Sequence, residues 1–261
     1  MSKFLLPTLL LLTLAACRKE EEEQPLIDRD YTAAVDNDRA EVYFADALKM
    51  SDAAYKDGDL PCAVAVTIDT VAVPHTLLID FGPANCTAPD GRTRRGRLNV
   101  TFTGRYRDPG TVITITPEDY YVNDHHLQGV KTVTNAGLNG QGQPFFNVTV
   151  NGTVTAPDGS WTSTHSYQRT RTWVEGANTL NWLDDVYLIT GGGSGISRTG
   201  LPFTVAITSP LRVELDCPWI VSGVLHVVPS NLAVRTVDYG NGSCDALVTV
   251  GVNGLSFTFG G

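Results

Sequence analysis

The stretch RLNVTFTGRY, residues 97–106, places Leu98, Val100, Phe102 and Tyr106 at one parity and Asn99, Thr101, Thr103 and Arg105 at the other. A period of two belongs to a β-strand with one face in a core and the other in water. One-sided strands of this kind belong to antiparallel sheets. The segment FNVTV repeats the pattern with Phe146, Val148 and Val150. Outward from these runs, Asn151-Gly152 and Asn253-Gly254 read as two-residue hairpin turns, where positive φ is needed. Pro89-Asp90-Gly91, Pro109-Gly110 and Pro157-Asp158-Gly159 are turn sequences by the same logic. The spacing leaves room for fifteen or more short strands after Pro61 and almost no helix. Residues 59–261 are therefore expected to form one large all-β antiparallel domain. A β-sandwich is the expected architecture and a curved, half-open β-sheet the competing one, because so large a sheet must cover its apolar face.

Residues 28–58 differ in character. Between Asp28 and Lys56 the chain is Ala-rich and lacks Gly and Pro, with Val35, Val42, Ala45 and Leu48 near helical spacing. This predicts one amphipathic N-terminal helix, capped by Asp28 or Asp30 and followed by Gly58, with Asp36-Asn37-Asp38 as the place where it would break.

Two internal echoes run through the β region. Cys62, Asp80-Phe81-Gly82 and Cys86 are matched by Cys217, Asp238-Tyr239-Gly240 and Cys244. Gly137, Gly142, Pro144 and Phe145 are matched by Gly195, Gly200, Pro202 and Phe203. Four cysteines permit three disulfide pairings. The duplicated spacing favours Cys62 with Cys86 and Cys217 with Cys244, each tying a strand pair to the turn that follows it. Phe81 and Tyr239 would then pack inward while Gly82 and Gly240 let the chain turn. A rival reading makes Asp80 and Asp238 metal ligands, but the 238–245 loop lacks the acidic alternation of a calcium loop.

The N-terminus carries Lys3, an apolar run from Phe4 to Leu14, and Leu14-Ala15-Ala16-Cys17. The run is too short to span a bilayer and reads as a signal-peptide core. Leu14-Ala15-Ala16-Cys17 resembles the lipobox of bacterial lipoproteins. The resemblance implies that residues 1–16 are removed and that Cys17 carries lipid, which anchors the chain to a membrane. Residues 17–27, with Lys19-Glu20-Glu21-Glu22-Glu23, read as a disordered acidic tether. Arg18 after the cysteine and this acidic tract resemble lipoproteins exported to the outer membrane and displayed at the cell surface. The chain carries 19 basic against 28 acidic residues, a net charge of -9, and shows no basic stripe for nucleic acid.

The candidate ligand-binding surface is the strand from Trp161 to Trp173. Its alternate residues Trp161, His165, Tyr167, Arg169, Arg171 and Trp173 combine aromatic faces with donors that suit a glycan or a protein ligand. The competing reading buries that face and leaves the threonines in water. Arg92, Arg94, Arg95 and Arg97 form a basic knot, read as a solvated loop facing the acidic helix or as a grip for anionic polymers. His125-His126 lacks neighbouring ligands for a metal, and no cofactor is expected. The Gly-rich stretch at 190–200 does not complete a nucleophile elbow, and no catalytic residue is assigned. The reading is a non-catalytic surface binding or adhesion module. An envelope assembly partner that docks through the helix is the alternative, and a hydrolase the third choice.

Overall fold

The structure is a computed structural model that describes residues 28–58 and 60–260; the expected signal peptide (1–16), Cys17 and the expected tether (17–27) lie outside the described residues. The chain opens with helix α1 (Thr32–Asp57). It continues through β1 (Ala65–Asp69), β2 (His75–Asp80), β3 (Cys86–Thr87), β4 (Thr93–Phe102), β5 (Val112–Val122), β6 (His125–Leu138) and β7 (Pro144–Thr155). Next come β8 (Thr162–Glu175), a 3-10 turn (Trp182–Asp184), β9 (Val186–Ile196), β10 (Pro202–Glu214), β11 (Ile220–Pro229), β12 (Arg235–Asn241), β13 (Leu247–Val252) and β14 (Leu255–Gly260). All belong to one 14-stranded antiparallel sheet in which each strand pairs with its neighbours in the chain, except that β3 pairs off the path with β4. The sheet is open, with β1 and β14 at its edges.

The architecture is the curved sheet rather than the sandwich. α1 touches β2, β4, β5, β7, β8 and β11. In a flat sheet β2 and β11 would stand ~38 Å apart at a strand spacing of ~4.8 Å. A helix is only ~10–12 Å across. The sheet therefore curls around the helix, and α1 fills the role that a second sheet would play.

Several expectations of detail change accordingly. α1 is not broken at Asp36-Asn37-Asp38, and all three side chains are buried. Arg198 binds Asp36 through its backbone N–H (2.7 Å) and its guanidinium, which stabilises a carboxylate inside the fold. Ala33, Ala34, Ala40, Ala47, Ala53 and Ala54 are buried around much of the helix, so the sheet approaches closely from several sides and α1 is an interior element. At its start Asp30 accepts from the Thr32 N–H (2.8 Å). At its end Gly58 adopts φ 67° and donates to the Ala54 carbonyl.

Strand faces follow the period-two reading. Leu98, Val100, Phe102, Phe146, Val148 and Val150 are buried against α1. The opposite face is polar and solvated, with Thr76, Thr101, Thr114, Thr132 and Thr149 in register across five strands. Asn253-Gly254 forms the β13–β14 hairpin with positive φ at both residues. Asn151-Gly152 forms no turn: β7 runs through it, and Gly152 pairs with Gly129 on one side and His165 on the other. A Cβ at Gly152 would lie 2.3 Å from Phe44 Cζ, so this glycine seats the helix. Merging the segments on either side of Asn151-Gly152 leaves fewer and longer strands than the spacing suggested.

Both corners are built alike. Cys62–Cys86 and Cys217–Cys244 are disulfides, with Cα separations of 5.6 Å and 5.8 Å. Asp80 accepts from the Gly82 N–H (2.7 Å) and Asp238 from the Gly240 N–H (2.8 Å). Phe81 and Tyr239 are buried. The recurrent Asp-aromatic-Gly is thus a structural corner whose carboxylate satisfies backbone.

Candidate functional site

β8 lies near the middle of the sheet, and its period-two pattern turns Ser163, His165, Tyr167, Arg169, Arg171 and Trp173 toward α1. All six are buried, while Thr162, Ser166 and Gln168 face water. The strand is therefore an interior wall and not an exterior contact surface. Trp161, just before the strand, is half-buried, with the guanidinium of Arg198 4.0 Å from its ring centroid and that of Arg39 at 5.4 Å. Trp173 stacks on Tyr187, with ring centroids 5.5 Å apart, and carries the Arg107 guanidinium at 4.4 Å. Both tryptophan rings are covered by side chains of the protein itself.

His165 sits in a short buried relay. Its Nε2 is 2.9 Å from Ser163 Oγ and its Nδ1 is 2.8 Å from Tyr167 Oη. Burial, with a smaller contribution from Arg39, pushes its pKa down to about 3, so the ring is neutral. The relay orients three buried polar groups around one another.

The next two inward positions on β8 are cationic. Arg169 ion-pairs with Glu41 of α1, while its Nε and Nη1 have no hydrogen-bond partner. Arg171 lies with its Cζ 3.5 Å from the Tyr187 ring centroid, and its Nη1 is unpartnered. No ion pair to Arg171 occurs among the described residues; it is 5% exposed. Burial opposes its charge, but Tyr106, Tyr187, Asp52 and Asp185 hold its pKa above the usual arginine value.

A third cation, Lys131, comes from β6. It shares inward parity with Leu127 and Val133, and its Nζ donates to the Phe44 carbonyl at 2.9 Å. Burial and then the neighbouring Arg171 lower its pKa to about 7, against the opposing pull of Glu41 and Asp52. Asp52 of α1 is a second carboxylate, besides Asp185, near Arg171; it makes no side-chain hydrogen bond among the described residues, and burial raises its pKa despite Arg171, Lys56 and Lys131.

These groups line a cavity of about 110 Å³ between α1 and strands β6 to β11. Val148, Val150, Ile189, Leu211, Val213 and Trp219 supply an apolar wall, and Lys131, Arg169 and Arg171 the cationic part. Gly191, Gly193 and Gly195 of β9 let that strand lie close against β8, since a Cβ at any of them would meet a β8 carbonyl oxygen; a Cβ at Gly193 would also lie 2.5 Å from Tyr167 Cδ1.

Of the basic knot, Arg94, Arg95 and Arg97 lie in β4 rather than in a loop, Arg92 sits just before the strand, and Arg92 and Arg94 are buried. Arg94 binds Asp46 of α1 through Nε (3.0 Å) and Nη2 (2.6 Å), and reaches Asp90 as well. Burial opposes the Arg94 charge, yet these carboxylates raise its pKa. Arg92 also reaches Asp46, at 3.3 Å, and covers the Trp219 ring. Arg95 and Arg97 remain outside, paired with Asp124 and with Asp80. Asp46 is thereby committed to Arg92 and Arg94.

His125 contacts the Asn123 carbonyl (3.0 Å) and Tyr43 Oη (3.3 Å), and His126 stacks on Tyr121. No group of three or more His, Cys, Asp or Glu side chains placed to hold a metal ion occurs among the described residues. No described helix is long and apolar enough to cross a membrane. Lys131, Glu41, Asp52 and Trp219 were missed in the sequence reading. A lysine at an inward strand position was the available signal for Lys131; the others join the site only through tertiary packing. No protein-family model, no curated protein and no solved structure matches the chain.

Proposed function

We propose that this chain is a lipid-anchored protein of the bacterial outer membrane, displayed at the cell surface, whose β domain is a non-catalytic binding module. The observation that carries the binding reading is Arg171, a buried guanidinium without an ion pair that faces a cavity. An uncompensated buried charge is costly to a fold. Groups retained at that cost are characteristic of functional sites. The contact point moves from the outside of the Trp161–Trp173 strand to the cavity beneath it. The lipid anchor rests on the lipobox resemblance and surface display on the acidic tract after Cys17.

Protease shaving of intact against lysed cells tests the location. Release of β-domain fragments from intact cells is the expected result, and protection until lysis would reassign the domain to the periplasm. Acyl labelling that persists in Cys17→Ser would overturn the anchor. Native mass spectrometry of protein purified from its own membrane tests binding: a recurrent non-covalent adduct lost in Arg171→Met is expected.

An assembly role has one observation in its favour. β14 is an open sheet edge with Leu255 and Phe257 exposed, and such edges template pairing with other strands. Crosslinking that recovers one partner at fixed stoichiometry would favour it.

A further inference from the structure

The charges around the cavity do not balance among themselves. Arg169 has Glu41, and Asp46 is held by Arg92 and Arg94. Arg171 and Lys131 then share Asp52, which hydrogen-bonds neither of them. Lys49 lines the cavity too, so five cationic side chains (Lys49, Arg92, Lys131, Arg169 and Arg171) face three carboxylates (Glu41, Asp46 and Asp52), which leaves two positive charges over when Lys131 is protonated and one when it is neutral. Arg171 lines the cavity and makes no side-chain hydrogen bond or ion pair among the described residues; its Nη1 and the Nε and Nη1 of Arg169 are unpartnered donors packed into the wall behind it. Exposed Ala45 and half-buried Lys49, Pro218 and Trp219 line the outer part of the cavity, which puts its mouth between α1 and the β10–β11 connection.

Resting on the reading of this cavity as a binding site, we infer that its ligand is an aliphatic carboxylate. The head group meets the guanidinium of Arg171, with the Arg169 charge beside it, and the chain lies along Val148, Val150, Ile189, Leu211 and Val213. A planar guanidinium fork matches a carboxylate. A monoanion matches the one surplus cation present while Lys131 is neutral. Scaled from the six heavy atoms of a benzene in an engineered cavity of ~150 Å³, a cavity of about 110 Å³ accommodates about four heavy atoms. The remainder of a longer chain leaves by the mouth past Trp219. Binding also couples to a proton. Lys131 faces Arg169 and Arg171 from β8 and Glu41 and Asp52 from α1, and its lowered pKa leaves it mostly neutral at pH 8. A carboxylate arriving beside it draws that proton back.

The test is calorimetric titration of octanoate into the purified full chain at pH 8, in two buffers of different ionisation heat, with acetate and 1-octanol as controls. Octanoate should bind with net proton uptake, while acetate lacks the chain and octanol the charge. Lys131→Met should bind without the uptake. Arg171→Met should weaken binding at least about tenfold and melt no lower than the unaltered protein. Should Arg171→Met fail to fold, Arg171→Lys keeps the charge without the fork and should still bind measurably more weakly. Equal binding of octanol, or no binding of octanoate alongside a different native adduct, would overturn the ligand class and leave the cavity reading standing. No adduct of any kind, together with an Arg171→Met protein that melts lower, would overturn both.

Discussion

Lys131→Met removes a buried amine and keeps a chain of similar length, so its effect on stability isolates one titration. The folded-state pKa is about 7 against an ordinary 10.5. Between those values the unfolded chain holds more protons than the native one, so stability rises with pH across that window. Below pH 7 the buried ammonium imposes its full cost, a gap of about 3.5 pKa units or about 5 kcal/mol at 1.36 kcal/mol per unit. From pH 6 to pH 9 the recovered part is about 3 kcal/mol. Urea denaturation of both proteins at the two pH values cancels every other titrating group in the double difference. Lys131→Met should gain about 3 kcal/mol more over the unaltered protein at pH 6 than at pH 9. Parallel profiles, differing by less than about 1 kcal/mol, would mean that Lys131 titrates like a lysine in water and would refute its placement beneath α1.

Asp46→Ala should destabilise by about 3–5 kcal/mol, because it strands Arg92 and Arg94 inside the fold; denaturant midpoints check this, and a loss under about 1 kcal/mol would contradict the network. Gly152→Ala should cost about 1–3 kcal/mol by driving Phe44 from its seat, while Gly159→Ala, with open space around it, should suffer only its local backbone strain. Cys217→Ser paired with Cys244→Ser should lower stability by about 3.5 kcal/mol for a closed loop of 27 residues, measured under non-reducing conditions. Asp80→Asn should be mild, since its amide oxygen still accepts from the Gly82 N–H, whereas a catalytic or metal-binding Asp80 would lose function with stability intact.

Local chemistry was readable wherever the deciding partners are close in sequence. The alternation around Leu98 and Phe146, the Asn253-Gly254 hairpin and the twin Asp-aromatic-Gly corners all rest on neighbours within a few residues or across one hairpin. The unreadable parts depend on distant partners. Arg94 looks like a solvated charge until Asp46, on another element, arrives to pair with it. Asn151-Gly152 has the composition of a turn and stays a strand because Phe44 needs the space above Gly152. Asp36 and Asp38 look like a helix break, yet Arg198 comes from the β9–β10 turn to hold Asp36 within α1. The Trp161–Trp173 alternation was legible, but which of its faces is interior depends on where α1 lies, and only the curl of the whole sheet decides that.

A sheet in which each strand meets its chain neighbour can zip hairpin by hairpin, with small closure entropy at each step. The helix inside it obeys the opposite schedule. Synthesis delivers α1 first, while β11, one of the strands that enclose it, appears only after Ile220. Ala40, Phe44 and Ala47 therefore stay in water until most of the sheet has been made, and early hairpins form without the element that covers their apolar side. Premature stops upstream of β11 should yield chains whose concave side is open, sticky and cleared by proteases.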